Sequence, residues 1–303
     1  MGWEVCNTYS ELTSYIIGMK KILVTGASGF IGNYVIEELL KSNYSVIATS
    51  SNPGNVKEKV WLNKVNYIPF NLKDYSSNTN YYSFFDKPDI LIHLAWEGLP
   101  NYKALFHFEE NLPRHYSFLK NMVTNGLKDV TVTGTCFEYG FVEGCLNEEI
   151  KTNPANPYAI AKDSLQKFLS HLKENQSFSF KWIRLFYMYG KGQNPNSILS
   201  QLDKTIEEGK EIFNMSGGEQ VRDYLPIEKV AEYIVRISLQ NRVDGIINCC
   251  SGQPISVKEL VKNYLAAKDK NIYLNLGYYP YPDYEPMRFW GDDKKLKTII
   301  NNG

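Results

Sequence analysis

The sequence predicts an α/β fold in which a large sheet-and-helix domain is interleaved with a smaller mixed lobe. Three observations carry that expectation. Residues 21–32, KILVTGASGFIG, place a short apolar run (Ile22, Leu23, Val24) before three glycines and a helix-patterned segment (Ile31, Val35, Ile36, Leu39, Leu40) after them. Short apolar runs then alternate with helix-period segments as far as Phe186, the rhythm of strands joined by crossover helices. Beyond Tyr187 the rhythm changes, yet residues 246–249 are apolar and short enough to return as a last strand of the sheet. No linker marks the boundary near 187. We therefore expect residues 19–187, with the strand near 246–249, to form the first domain and residues 188–303 the second lobe.

The glycines have separate tasks. Gly26 lets the strand turn sharply, Gly29 lets the backbone approach a pyrophosphate, and Gly32 lets the helix sit against the strand. An anion there meets unpaired N–H groups at a helix N-terminus, so the expected ligand is a dinucleotide. The next strand, at 45–48, bears on which one. NAD-binding units carry an Asp or Glu about 20 residues after the glycines to hold the ribose 2′-hydroxyl. Here the chain runs Thr49, Ser50, Ser51, Asn52, Pro53, Gly54, with no acid before Glu58. Hydroxyls, an amide and the ammonium groups of Lys57 and Lys59 suit a 2′-phosphate, unless those lysines are simply a solvated face. NADP(H) is expected ahead of NAD(H).

Further along, Asn71-Leu72-Lys73-Asp74 sits at a strand end suited to an adenine contact, and residues 89–93 (DILIH) read as a short buried strand. His93 closes it and reads as a structural residue. Residues 101–125 are helix-patterned, with an interruption at Pro113. A strand at 130–134 runs into Thr135, Cys136, Phe137, Glu138, Tyr139 and Gly140. Pro157 then suits a first helical position, with apolar spacing through Leu165, Phe168, Leu169 and Leu172. A strand at 182–186, helices at 196–208 and 228–239, and mixed elements at 256–300 complete the chain.

Composition narrows the function. With 303 residues and 43% apolar content the chain can bury a large core. Zero net charge, pI near 6.9 and the absence of a basic run remove the electrostatic footprint of a nucleic-acid binder. Five cysteines without CxxC or Cys/His ligand spacing suggest neither a disulfide framework nor a metal site, which fits a reducing cytoplasm. No apolar run approaches the roughly 18 residues that would span a bilayer, so no membrane partner is expected. Residues 1–18 lack the pattern of a signal peptide and read as an N-terminal extension before Met19.

Tyr158 and Lys162 are four residues apart on the helix opened by Pro157 and share a face. A tyrosine hydroxyl, with a pKa of about 10, is a poor proton donor or acceptor at neutral pH unless its anion is stabilised. The ammonium of Lys162 is expected to lower the pKa of Tyr158 and to hold the nicotinamide ribose. Thr135, at the end of the preceding strand, can hydrogen-bond the same substrate oxygen. Together these groups polarise a carbonyl while hydride arrives from the cofactor.

TGASGFIG, NLKD, HLAW, TCFEYG, PYAIAK and the RDY at 222–224 occur in the order seen in the extended short-chain dehydrogenase/reductases, the NAD(P)-dependent nucleotide-sugar epimerase/dehydratase family, which residues 20–303 resemble. The resemblance implies a Rossmann fold, a doubly wound parallel sheet with a smaller C-terminal substrate lobe, and nucleotide-diphosphate sugars as substrates. It implies Thr135, Tyr158 and Lys162 as the catalytic set. Gly26, Ser28, Gly29, Phe30, Ile31, Gly32, Ser50, Ser51, Asn52, Asn71, Leu72, Leu94, Ala95, Trp96 and Asn111 then hold the cofactor together with Tyr158 and Lys162. Thr135, Cys136, Phe137, Asn196, Arg222 and Arg288 face the substrate, the two arginines matching diphosphate-binding positions, although a surface ion pair is an alternative for each. A homodimer through the helices containing Asn111 and Tyr158 is implied as well.

The subgroup follows from what is missing. Dehydratase relatives carry an Asp-Glu pair after the catalytic Thr, where this chain has Cys136 and Phe137. Relatives that epimerise C3 and C5 use a Cys and a His, where Phe137 and Gly192 stand. The wording also looks like bacterial reductases of dTDP-4-keto-6-deoxyhexoses. The expected activity is therefore reduction of the 4-keto group of a nucleotide-linked 4-keto-6-deoxyhexose without C3/C5 epimerisation. A C4-epimerase with retained NAD is an alternative, lowered by Tyr187 where such enzymes usually have Asn. A non-enzymatic dinucleotide sensor is a third, lowered by the presence of both Tyr158 and Lys162.

Overall fold

A computed structural model describes residues 20–283 and 285–301; the extension expected at 1–18 lies outside them. Seven strands form one wholly parallel sheet: β1 (Lys21–Thr25), β2 (Ser45–Thr49), β3 (Asn66–Tyr67), β4 (Ile90–His93), β5 (Asp129–Thr135), β7 (Ser179–Leu185) and β11 (Gly245–Cys249). Their spatial order is β3-β2-β1-β4-β5-β7-β11. The chain thus winds outward from β1 in one direction and then, from β4, in the other. Between β1 and β4 the loops diverge and leave a crevice at the carboxyl ends of the strands, the place where such sheets bind ligands.

Alternation along the strands fills both faces. Ile22 and Val24 face α1 (Phe30–Lys41) and α6 (Ile227–Leu239), packing on Val35, Ile36, Leu39, Val230 and Ile234. Leu23, Leu91, Val130 and Val132 face the other way, onto Phe118 and Met122 of α3 (Leu112–Thr124) and Leu165 and Leu169 of α4 (Pro157–Asn175). Both faces are covered, so the strands read as continuous apolar runs.

Two expectations need correction. The strand placed at 182–186 begins earlier, at Ser179, because Lys181 broke the apolar pattern although its ammonium is buried 2.8 Å from Asp129. The helix placed at 101–125 starts only with a wide turn at His107–Asn111, and Pro113 lies in the first turn of α3. There it stands where the wide turn gives way to the α-helix, so the interruption expected at Pro113 is a change of helical pitch.

The smaller elements carry their own core. Leu199 and Leu202 of α5 (Ile198–Glu207) pack with Phe213 of β9 (Ile212–Asn214) and with Val257, Leu260 and Val261 of α7 (Val257–Ala267). Strand β8 (Tyr187–Tyr189) follows β7 after one residue and pairs with β10 (Val221–Pro226), so the path into this lobe leaves directly from the large sheet.

Gly32 marks the tightest contact between α1 and the turn before it. A Cβ at Gly32 would lie 2.2 Å from the Gly26 carbonyl oxygen, an atom fixed by the backbone. Gly32→Ala should therefore lower stability by about 1–3 kcal/mol, the usual cost of overpacking, as measured by urea denaturation. Wild-type stability in that variant would contradict the packing described.

Candidate active site

The turn after β1 builds one wall of a trough over the crevice. Gly26 has φ +69°, and a Cβ there would sit 2.8 Å from the Ala95 nitrogen, so only glycine fits between the two crossing loops. Gly29 is the N-cap of α1 and offers no side-chain cap, which leaves the first N–H groups of the helix for an anion. Gly26, Ser28, Gly29, Ser50, Ser51, Leu72, Leu94, Ala95 and Trp96 line this trough together with Thr25, Thr49, Phe70, Glu97, His115 and Phe118. A cradle closed to any Cβ, backed by an uncapped helix end, fits a dinucleotide pyrophosphate.

Other expected cofactor residues stand elsewhere. Phe30 lines an adjoining hollow that shares Ser28 and Gly29 with the trough and includes Asn33, Tyr34, Lys59, Lys191 and Gly192, and Ile31 packs on the core beside α1. Gly32 is buried under the turn. Asn52 spends its side-chain oxygen on the Gly54 N–H, and Asn71 spends its own on the Lys73 N–H. Asn111 is buried and donates to the Glu97 carbonyl, which fixes the loop bordering the trough. Ser50 exchanges a 2.9 Å hydrogen bond with Tyr67, and Lys57 is exposed.

At the far end, β5 and α4 bring Thr135, Tyr158 and Lys162 together. Asn156 caps α4 by accepting from Ala159, with Pro157 behind it, so Tyr158 enters in the first turn. The Thr135 hydroxyl oxygen accepts from the Phe137 N–H at 3.3 Å and counts among the groups acting on the Tyr158 phenol, and the Tyr158 N–H donates to the Tyr102 carbonyl. The expected lowering of the Tyr158 pKa is not what governs it. Burial raises it, with Tyr102, Glu138 and Cys136 adding to the rise, while Thr135 opposes it. Lys162 is almost fully buried, and its ammonium donates to the Thr133 carbonyl at 2.9 Å and lies over the ring of Trp96. Its pKa falls to about 7, chiefly through burial, with Glu138 opposing.

Glu138 is the residue that sequence reasoning passed over. Its carboxylate is fully buried and accepts from the Thr135 N–H at 2.8 Å, the Trp182 indole at 3.0 Å and Arg184 at 2.7 Å. Thr135 and Glu138 cap each other's turn, so the T-x-x-E spacing was a readable capping box.

Among the expected substrate residues, Cys136 is buried with its thiol pKa pushed well up by burial, and Phe137 sets its ring against Tyr102 and Tyr187. Arg222 is buried, but its guanidinium already meets Glu285 at 2.8 Å and lies over Phe289. Glu285 also accepts from Tyr187. Asn196 is exposed in the turn before α5, and Arg288 is exposed on a strand bridge to Val221. His93, as expected, is structural: it bonds Thr25 at 2.8 Å and His115 at 2.7 Å.

A glycine turn at the switch point of a parallel sheet, facing a Thr, Tyr and Lys set, defines a Rossmann-fold enzyme of the nucleotide-dependent oxidoreductase class. The chain belongs to the NAD dependent epimerase/dehydratase family, whose profile matches residues 22–250. It is 30% identical over 274 residues to dTDP-6-deoxy-L-talose 4-dehydrogenase (NAD(+)) of Aggregatibacter actinomycetemcomitans, covering 89% of this chain and 98% of that protein. It is 27% identical over 301 residues to UDP-glucuronate 4-epimerase of Thermodesulfobacterium geofontis, covering 93% and 91%. Among solved structures, UDP-glucuronic acid 4-epimerase of Bacillus cereus with UDP-glucuronic acid and NAD superposes at a TM-score of 0.79 and 24% identity, over 93% of each chain, a likeness of fold.

The buried histidines give the site a pH dependence. Burial holds His93 down at about 3 and His115 well below its ordinary value, with the Lys162 charge assisting in both and His93 acting on His115. A depressed pKa contributes stability above the unfolded value near 6.5 that is lost as pH falls toward the folded value. Between pH 7 and 5, before most carboxylates titrate, each histidine should withdraw up to about 2 kcal/mol. His115→Gln should roughly halve the slope of urea-derived stability against pH; an unchanged slope would mean that these rings are not held neutral.

Proposed function

We propose that this protein interconverts the C4 ketone and C4 alcohol of a nucleotide-linked 6-deoxyhexose, working as a 4-keto-6-deoxyhexose reductase that leaves C3 and C5 untouched. One observation carries the reading. Beside the Thr135–Tyr158 pair, the positions that would hold a second acid or base are Cys136, whose thiol keeps its proton, and Phe137, while the nearby carboxylates Glu138 and Glu285 are both committed to arginines. Among the described residues, the site has the parts to protonate one oxygen and offers no carboxylate free to take a carbon-bound proton. The 30% identical relative, named a 4-dehydrogenase of a dTDP-6-deoxyhexose, supports the same chemistry.

When bound, the nicotinamide supplies or accepts the hydride. Tyr158, whose buried phenol keeps its proton at neutral pH, gives that proton to the C4 oxygen, and Thr135 hydrogen-bonds the same oxygen. Lys162 holds the ribose side of the cofactor and places positive charge beside the phenol. Arg222 receives the diphosphate, which requires Glu285 to turn away from it. Gly26, Ser28, Gly29 and the first turn of α1 hold the pyrophosphate.

For the cofactor, the expectation of NADP(H) gives way to NAD(H). Ser50 and Asn52 are already engaged within the chain, Lys57 points to solvent, and the relative quoted above is named for NAD(+). We further take residues 19–187 as the cofactor domain and 188–303 as the substrate lobe. The protein acts in the cytoplasm as a homodimer through α3 and α4, where Ile160 and Phe168 are exposed. No helix among the described residues is long and apolar enough to cross a membrane.

With a dTDP-4-keto-6-deoxyhexose, NADH should be consumed one for one and used better than NADPH in kcat/KM. Tyr158→Phe should keep its fold and cofactor affinity while kcat falls by about 10²–10⁴. Full activity in that variant, or accumulation of a C4 epimer without net cofactor consumption, would defeat the reading, the latter in favour of a 4-epimerase.

A further inference from the structure

Trp96 follows β4 in the trough wall, and its ring is fixed by neighbours. Its indole N–H donates to His107 Nδ1 at 3.1 Å, and His107 donates through Nε2 to the Asn101 carbonyl at 3.0 Å. That pairing needs a single neutral tautomer. The indole also stacks on His115, with centroids 4.6 Å and planes 24° apart. His115 is held by His93, and His93 by Thr25. The result is a rigid indole at the cofactor end of the Tyr158 site, meeting Tyr158 edge to face at 6.1 Å.

The ammonium of Lys162 lies 4.1 Å from the centroid of this ring, well within the range of about 6 Å over which an aromatic face attracts a cation. Lys162 has few other means of staying charged. Among the described residues its one side-chain hydrogen bond goes to the Thr133 carbonyl. The charged and titratable groups that act on it are Glu138 below the end of β5, His93 at the end of β4, His107 ahead of α3 and His115 within α3. The histidines are neutral, and Glu138 shares its charge with Arg184. Donation by the indole N–H polarises the ring and makes its face more negative.

We propose that Trp96 is a positioning residue for Lys162: its clamped indole face holds the ammonium in place and favours its charged form, a task distinct from lining the cofactor trough. This inference rests on the catalytic reading of Tyr158 and Lys162 given above. The indole attraction offsets the burial that draws the lysine toward neutrality. An aliphatic side chain in its place would fill the wall without supplying that attraction.

The test follows Lys162 directly. In the full-length protein labelled with ¹³C at lysine Cε, the Lys162 resonance is assigned by its loss in Lys162→Met and titrated with pH. Trp96→Leu should lower its midpoint by about 0.5–1 unit, and Trp96→Phe, which keeps a weaker face, by less. A wild-type midpoint in Trp96→Leu overturns the proposal. If that variant fails to fold, Trp96→Phe decides alone: a downward shift supports the proposal and an unshifted midpoint overturns it. In turnover of the 4-keto sugar, Trp96→Leu should lose more kcat at pH 8.5 than at pH 6.5, and equal loss at both overturns the proposal. The NMR midpoint judges Trp96 whether or not the protein reduces a sugar, whereas wild-type inactivity on every nucleotide sugar defeats only the functional reading.

Discussion

Glu138 lies fully buried beneath the end of β5, accepting from Thr135, Trp182 and Arg184, and the geometry of the site rests on that arrangement. A carboxylate with no access to water is tolerated only when paired and hydrogen-bonded, so the surroundings are built around it. Gly134 lacks a side chain because a Cβ there would meet the Trp182 indole nitrogen at 2.2 Å and Glu138 at 2.3 Å. Arg184 lies over Tyr139, whose hydroxyl donates to Asn248 on the edge strand, and Asn248 donates to the Leu146 carbonyl. One buried charge thus ties the backbone of Thr135 to three strands of the large sheet and to the segment beside it. Thr135 is held by Glu138 on one side, and Tyr158 by the Asn156-capped first turn of α4 on the other.

The same logic divides what the sequence reveals from what it conceals. The glycine turn, the Tyr158–Lys162 spacing and the strand read at 130–134, which spans Asp129–Thr135, were legible because each follows from local chemistry: a turn that excludes Cβ, a helical repeat, an apolar run. The returning edge strand at Gly245–Cys249 was legible for the same reason. The true start of β7 was not, since Lys181 and Arg184 read as polar until their partners Asp129 and Glu138, distant in sequence, are brought to them by the fold. Pairing of Arg222 with Glu285 was hidden likewise, 63 positions apart by residue number (285 less 222). The trough-lining residues Phe70 and Phe118 carry no motif, and only the sheet order puts them beside Gly26.

Electrostatics sets the remaining character of the site. Burial pushes Tyr158 up and Lys162 down, so in the free protein the phenol holds its proton while the lysine sits close to its midpoint at neutral pH. Opposed shifts of this kind are typical of groups held ready for proton transfer. Across the site, Arg222 is paired with Glu285 at 2.8 Å. Among the described residues, Glu138 and Glu285 are both paired with arginines.

Net hydride transfer at C4 is the central claim, and isotope labelling tests it most directly. A dTDP-6-deoxyhexose carrying deuterium at C4 is incubated with NAD⁺, and the nicotinamide product is examined by NMR and absorbance. The account predicts one deuterium delivered to the nicotinamide for each NADH formed and each 4-ketosugar produced. Deuterium retained at C4 in an inverted sugar, with no NADH accumulating, would contradict it.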